Sequence, residues 1–481
     1  MAKAPEKTHK AGKRSPLPTI EIEINRLDDE GMGIGRFEGK DVLVPQTLPG
    51  EKVLAAMEHE GRRITGRLLK VLTKSPDRVF SPCIQAGNCL GCPLILMSYC
   101  AQLRFKEDRV RRALRRYETL KTVKLHPIWE APQPLGYRTT AKLAMGKERG
   151  RVKIGLYRRG THEVVDIGDC PLHHPLINKI IQVVREEVER QEIFVYNPAK
   201  RRGLLRYLVI KVSPIFGKAM VTFVTAERNY REIIHLAKWL KKKVPEVISV
   251  HQNVNPSEGN VVFGRETLKM LGVPDLIDRV GDMRLRLSPT SFFQVNNEQA
   301  ARIYEQVRRW ANLTREQSAV DLYCGIGGIA LHLAEDAGRV VGIEMVEEAV
   351  KNARENARMN GLTACTFRSG DAAELVQNLF MEIAPGNVAV VNPPRRGCDQ
   401  KVLQALVKLA PRVLIYVSCN PQTLARDLDL LHSMGYRTLE VQPVDMFPQT
   451  PHVESVARLE PDPGKDKKQR ARRPQKQQNR A

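Results

Sequence analysis

The chain has 481 residues and a formal charge of +23, which argues against a single core and against a neutral or acidic-surface role, and for two or three domains with a polyanionic partner such as nucleic acid. No run approaches ~18 consecutive apolar residues, so no membrane-spanning helix is expected, and the charged start MAKAPEKTHKAGKRSP lacks the apolar segment of a secretory signal, which points to the cytoplasm. Nine cysteines, an odd number in a chain of this kind, do not suggest a disulfide framework.

The first sixteen residues carry +4 and the last twenty-one carry +6, leaving +13 on the body between them. Residues 1–14 are expected to form a disordered basic arm and 461–481 a disordered basic tail. Residues 15–72 are short, alternating and β-rich. IEIEI, DVLVP, GEKVLAAM and RRITGRLLKVL are separated by glycine-containing turns, a pattern that predicts a small OB-like barrel suited to single-stranded nucleic acid.

A central α+β domain is expected over 73–284. It opens with SPCIQAGNCLGC, continues through a polar, basic helix (SYCAQLRFKEDRVRRALRRYETL), and includes strands that carry Arg or Lys. Of these, Gly136-Tyr137-Arg138 and Leu205-Arg206-Tyr207 are candidates to present arginine to phosphates. Cys83, Cys89 and Cys92, with Cys170 far downstream before a proline, have metal-ligand character. Four thiolates suit zinc or an iron–sulfur cluster, and the uneven first spacing and the Cys-Pro favour [4Fe–4S].

From 285 to 460 strands and helices alternate. AVDLY, RVVGIEM, CTFRSGD, NVAVVNPP and RVLIYVSCN read as strands, with HLAEDAG, EEAVKNARENARMNG and KVLQALVKLA as helices between several of them. This predicts a doubly wound parallel sheet, a Rossmann-like α/β domain. The first strand runs into a glycine turn, DLYCGIGGIA, which lets a ligand approach the backbone closely. Glu344 ends the next strand, placed for ribose hydroxyls. Asp371 and Asn392 end two further strands. Polar groups at successive strand ends without a phosphate-binding lysine suit a nucleoside lacking phosphates, such as S-adenosylmethionine; a helix cap is the competing reading for each residue alone.

The last parallel strand exits at Ser418-Cys419-Asn420. A thiol at that position has a chemical use if the methyl acceptor is carbon 5 of a pyrimidine, a poor nucleophile. A thiolate adding to carbon 6 makes carbon 5 enolate-like, and a base must afterwards remove the carbon-5 proton so that the thiol can leave. DMFPQTPHVE supplies Glu454 as that base, with His452 read as an orienting group.

SCNPQTLARD, DMFPQTPHVE, DLYCGIGG and SFFQVN together resemble the RNA 5-methyluridine (uracil-C5) methyltransferase family, in its RlmC/RlmD-type 23S ribosomal RNA branch, over about residues 15–460. The resemblance implies that Cys419 is the nucleophile and Glu454 the base. It implies that Gln294 lies by cofactor and uracil, that Tyr323, Glu344, Asp371 and Asn392 line the S-adenosylmethionine pocket, and that Cys83, Cys89, Cys92 and Cys170 hold a [4Fe–4S] cluster. It likens the N-terminal barrel to a TRAM domain and makes 23S ribosomal RNA the expected partner. Two other readings stay open: a transfer RNA uracil methyltransferase, and an RNA-binding factor with an inactive methylase core. The TRAM-like barrel and the four cysteines argue against the first, and the intact Cys419 and Glu454 against the second.

Overall fold

The computed structural model describes residues 18–60, 63–89, 91–158, 161–259, 261–383 and 387–464. The arm expected over 1–14 lies outside these residues, as does the expected tail from 465 onward. The chain divides into two compact units, residues 1–81 with 92–98, and residues 82–91 with 99–481.

In the first unit, β1 (Thr19–Leu27), β2 (Gly33–Phe37), β3 (Lys40–Val44), β4 (Lys52–Glu60) and β5 (Arg63–Thr73) close into a barrel in the order β1-β2-β3-β5-β4. Period-two alternation puts Ile20, Ile22 and Ile24 of β1 inside with Val42, Val44 and Val53. Gly35 is dictated by that closure, because a Cβ there would stand 2.4 Å from the Glu23 carbonyl oxygen. The buried Glu51 carboxylate accepts from the Leu48 N–H at 2.8 Å and from the Arg78 guanidinium, tying the segment after β5 back to the loop before β4. Burial opposes its ionisation, but the Arg78 bond and the backbone donors hold its pKa below the usual carboxylate value.

The second unit begins with α1 (Tyr99–Leu114) and β6 (Lys124–Leu125). A seven-stranded sheet follows from β7 (Thr140–Glu148), β8 (Arg151–Tyr157), β9 (Val164–Asp166), β10 (Leu205–Ser213), β11 (Lys218–Thr225), β12 (Val247–Val254) and β13 (Glu266–Gly272), ordered β13-β12-β11-β10-β7-β8-β9. The helices α2 (Pro175–Arg190) and α3 (Tyr230–Lys243) bury their apolar stripes on one face of this sheet, with Ile177, Ile181, Ile233 and Leu236 against Leu208 and Ile210. The hairpin β14 (Leu276–Val280) and β15 (Met283–Leu287) then leads into α4 (Asn297–Ala311), so the expected division at 284/285 runs through β15.

The remaining elements are β16 (Ser318–Leu322), α5 (Gly328–Leu333), β17 (Arg339–Glu344), α6 (Glu347–Met359), β18 (Cys365–Ser369), α7 (Ala372–Gln377), β19 (Val388–Val391), α8 (Gln400–Lys408), β20 (Val413–Ser418), α9 (Pro421–Ser433), β21 (Tyr436–Val444) and β22 (Glu454–Pro461). They form an eight-stranded sheet ordered β18-β17-β16-β19-β20-β22-β21-β6, with β16 to β20 mutually parallel. Both faces of the central strands are covered, Ala319 and Val390 entering one core and Val320 and Val391 the other, which is why β19 and β20 read as apolar runs. The order reverses at β16, so a crevice opens beyond the carboxyl ends of β16, β17 and β19, where open α/β sheets bind ligands.

Two features depart from the expected sheet. The strand β22 runs antiparallel to both β20 and β21, because the link over 445–453 is too short for the helical crossover that a parallel return requires. Residues 99–131, read with the central domain, belong instead with this sheet: β6 pairs with β21 at its edge, and α1 packs on α9.

Candidate active site

The turn after β16 is shaped by three residues with positive φ, Tyr323 at 61°, Gly325 at 55° and Gly327 at 91°. For Tyr323 this conformation costs about 1–2 kcal/mol. At Gly325 a Cβ would meet nothing within 4 Å, so the backbone faces open space. Glu344, at the end of β17, accepts from the Gly325 N–H at 3.1 Å and the Val346 N–H at 2.9 Å. Asp321 is fully buried and its Oδ2 accepts from the Ala330 N–H at 3.0 Å, while its Oδ1 has no partner. Burial pushes its pKa up to about 8.

Tyr323, Glu344 and Asp371 line one cavity of about 530 Å³ at these strand ends. Asp371 also caps α7, accepting from the N–H groups of Ala373 at 2.8 Å and Glu374 at 3.2 Å, so one carboxylate both caps the helix and lines the cavity. Asn392 does not line this cavity. It stands at the end of β19, between the strands that carry Tyr323 and Cys419, with its N–H on the Leu322 carbonyl at 3.3 Å. Gln294 lies outside the cavity as well, on the loop 288–296. That loop is held by the buried Lys211, whose Nζ donates to the carbonyls of Ser288 and Ser291, each at 2.6 Å, and by Asn296, which donates to the Met446 carbonyl at 3.4 Å.

Cys419 follows β20 and Glu454 opens β22. Ser418 pairs with Ser455, so the next position in register sets Cys419 opposite Glu454. Burial first, and then the Glu454 charge, raise the pKa of the half-buried Cys419 thiol; Arg395, which also hydrogen-bonds it, opposes both. Glu454 is fully buried, and burial pushes its pKa up to about 8 against the pull of Arg395. The Arg395 guanidinium also meets His452 Nε2 at 3.4 Å. Burial and the surrounding cations, Arg395 first among them, bring His452 down to about 4.

Two hydrogen-bonded sets hold these groups in place. The buried Tyr416 hydroxyl donates to Asp427 at 2.5 Å, and the same carboxylate accepts from the Cys398 N–H at 2.8 Å and from Arg426, fixing the 392–398 loop against α9. On the other side α1 grips the loop 445–454. Lys106 pairs with Asp445 where neither side chain has any exposure, and it also donates to the Phe447 carbonyl at 3.0 Å. Tyr99 donates to Asp445 at 2.9 Å, Gln102 exchanges hydrogen bonds with Gln449 at 2.9 Å each way, and Arg109 donates to the Pro451 carbonyl. The sequence reading missed both this grip and Arg395. Its trace was there: Tyr99, Gln102, Lys106 and Arg109 repeat at helical spacing on the face that also holds Val110 and Ala113, so a polar stripe faces inward.

Cys83, Cys89 and Cys170 all lie in the second unit and Cys92 in the first. Burial raises the Cys170 thiol pKa, with smaller contributions from Cys83 and Cys89, so those three sulfurs influence one another. Among the described residues, however, no group of three or more His, Cys, Asp or Glu is arranged to hold a metal ion.

A doubly wound sheet with a glycine turn after its first strand, and with acids beyond the ends of the next two strands lining one cavity, has the architecture of an S-adenosylmethionine-dependent methyltransferase. The chain belongs to the tRNA (Uracil-5-)-methyltransferase family, whose model matches residues 98–461, while a TRAM domain model matches residues 18–56. It is 49% identical over 451 residues to an uncharacterized RNA methyltransferase of Geobacter sulfurreducens, covering 93% of this chain and 91% of the relative. An uncharacterized RNA methyltransferase of Halalkalibacterium halodurans is 38% identical over 92% of this chain and 96% of its own. Among solved structures, the Pyrococcus abyssi tRNA (uracil-54, C5)-methyltransferase in complex with S-adenosyl-L-homocysteine superposes with a TM-score of 0.73 at 30% identity, over 92% of this chain and 100% of that one. The chain is thus an S-adenosylmethionine-dependent RNA methyltransferase of the uracil-5 family.

Proposed function

We propose that the protein methylates carbon 5 of a uridine in 23S ribosomal RNA through a covalent Cys419–uracil adduct. The observation that carries this reading is the register of β20 and β22, which sets a thiol opposite a buried carboxylate beside one guanidinium. S-adenosylmethionine supplies the methyl group when bound, and Tyr323, Glu344 and Asp371 would hold it, with Gln294 and Asn392 between that pocket and the uracil. The Cys419 thiolate adds to carbon 6, and the electron pair displaced to carbon 5 forms the bond to the methyl carbon as the methyl–sulfonium bond breaks and S-adenosylhomocysteine leaves. Glu454 then takes the carbon-5 proton, and the carbon–sulfur bond breaks to restore the double bond and the thiolate. Glu454, with a pKa near 8, is the better-matched proton acceptor at neutral pH than His452, near 4. The target base has to leave its stack to reach this site.

A transfer RNA target is the second reading, and the Pyrococcus abyssi enzyme favours it. Its match extends over 92% of this chain, so the barrel does not by itself argue for ribosomal RNA. Incubating the protein with labelled S-adenosylmethionine and separate unmodified transcripts of 23S ribosomal RNA and transfer RNA tests both. Labelled 5-methyluridine in the ribosomal transcript alone supports the proposal; label in transfer RNA alone supports the second reading.

A [4Fe–4S] cluster on Cys83, Cys89, Cys92 and Cys170 belongs to the same proposal. It rests on their spacing and on the mutual influence of Cys83, Cys89 and Cys170, and no catalytic step is assigned to it.

A further inference from the structure

The helix-free face of the central sheet carries a second feature. Leu208, Ile210 and Val212 of β10 pack beneath α2 and α3, so Tyr207, Val209 and Lys211 point the other way. Lys211 ends on the loop that carries Gln294. Tyr207, four residues back on the same face and so roughly 13 Å away at ~3.3 Å per residue, opens into a cleft of about 850 Å³.

One wall of the cleft is a ribbon in which Val195 bridges Leu205 and Asn197 bridges Arg202. Lys200, Arg201 and Arg202 are exposed around its tip, and Phe194 on its stem is 76% exposed. The floor is aromatic, with Tyr157 and Tyr207 edge-on at 6.4 Å between ring centroids and Tyr196 beside them. Arg206, expected from the sequence to meet phosphate, is instead buried. It lies over the Tyr196 ring at 4.8 Å and donates to the carbonyls of Asn255 and Ser257. The lining as a whole sets six cations against three carboxylates.

We propose that this cleft binds a single-stranded stretch of the RNA substrate that flanks the target uridine. The proposal rests on the reading of the chain as an RNA methyltransferase. The exposed Phe194 ring, with the half-exposed Tyr157 in the same cleft, gives bases a stacking surface, the ribbon tip neutralises phosphates, and β10 leads from the cleft to the Gln294 loop. The spacing along β10 matches on the order of four stacked nucleotides at ~3.4 Å each. The excess of cations selects a polyanion, and the exposed Phe194 ring favours one that carries bases over an acidic peptide.

The test uses the full chain and a fluorescent twelve-nucleotide oligouridylate, with S-adenosylmethionine affinity and thermal midpoint as controls on folding. Phe194→Ala is expected to weaken oligonucleotide binding roughly 5- to 100-fold with an unchanged salt slope, since stacking is uncharged. Lys200→Ala with Arg202→Ala is expected to weaken binding and reduce the salt slope by about 1.4, at ~0.7 for each phosphate no longer neutralised. If both variants bind within twofold of the parent with the same slope, the proposal fails. It also fails if they keep oligouridylate affinity but lose affinity for a glutamate dodecapeptide, which would make the cleft a protein-docking surface. Absence of uracil methylation by the parent chain would overturn the proposed reaction while leaving the oligonucleotide result to decide the cleft.

Discussion

Cys419 and Glu454 face one another across an antiparallel pair, one step beyond the Ser418–Ser455 match, although 35 positions separate them along the chain. Both are held next to Arg395, which favours the charged form of each, while the negative charge of Glu454 disfavours the thiolate. The pair therefore resists carrying two negative charges.

Cys419→Ala is expected to abolish turnover while leaving S-adenosylmethionine affinity within about twofold, because the thiol stands at the end of β20 and does not line the cofactor cavity. Isothermal titration with the cofactor and a methyl-incorporation assay check the two halves. Full methylation by this variant would remove the covalent mechanism.

Glu454→Gln separates addition from release. Adduct formation and methyl transfer need the thiolate and the donor, whereas release needs a proton acceptor that glutamine cannot be. A slow, denaturant-stable band of RNA joined to protein, carrying the labelled methyl, is the expected product. Adding Cys419→Ala should remove it. Free turnover by the single variant would shift the role of base to His452.

The buried Glu454, with its pKa near 8, gives two opposed pH dependences. Turnover of the parent is expected to rise as pH increases through about 8, because the base must be ionised. Stability should move the other way. A carboxylate whose folded pKa lies above its unfolded value favours the folded state when protonated, so its contribution is fully present below about 4.5 and lost as pH rises through about 8. Glu454→Gln should accordingly raise the thermal midpoint relative to the parent at pH 9 more than at pH 4. An equal difference at both values would mean that Glu454 ionises normally.

Lys106→Met leaves the fully buried Asp445 without its cation, a loss of about 3–5 kcal/mol. The expected result is a lower thermal midpoint together with a fall in kcat larger than any change in S-adenosylmethionine affinity, since the loop that loses its anchor carries His452 and Glu454. Combining it with Asp445→Leu should restore most of the stability. It should not restore turnover, because the bonds from Tyr99 to residue 445 and from residue 106 to the Phe447 carbonyl, two of the ties between α1 and the loop, are then gone.

Purified without oxygen, the protein is expected to contain about four irons per chain if the four cysteines hold a cubane cluster, and Cys170→Ser should reduce that content. Zinc in place of iron would assign the site to a structural tetrathiolate, and neither metal would remove it.

The central parallel strands were legible because burial on both faces leaves an apolar run that ends at a polar residue or a thiol, as at Glu344, Asn392 and Cys419. The five-stranded barrel was legible from the alternation of TIEIEI. The direction of β22 was not, because a strand's sequence is the same whichever way it runs, and only the length of the 445–453 link distinguishes the cases. Nor was the grip of α1. The helical spacing of Tyr99, Gln102, Lys106 and Arg109 marks a polar stripe, but nothing local shows that the partner of Lys106 is an aspartate 339 positions away. Arg206 was misread for the same reason: its acceptors, the carbonyls of Asn255 and Ser257, lie on a distant turn.

The distance between Lys106 and Asp445 also sets a timetable for assembly. At ~5–20 residues per second, the ribosome adds the 339 positions between them in roughly 17–70 s. Throughout that interval α1 presents Gln102, Lys106 and Arg109 to water with no loop to receive them. Cys419 is synthesised before Glu454, and β20 before β22. A nascent chain therefore passes through a state with Cys419 but no carboxylate to set opposite it, until the last strand inserts between β20 and β21.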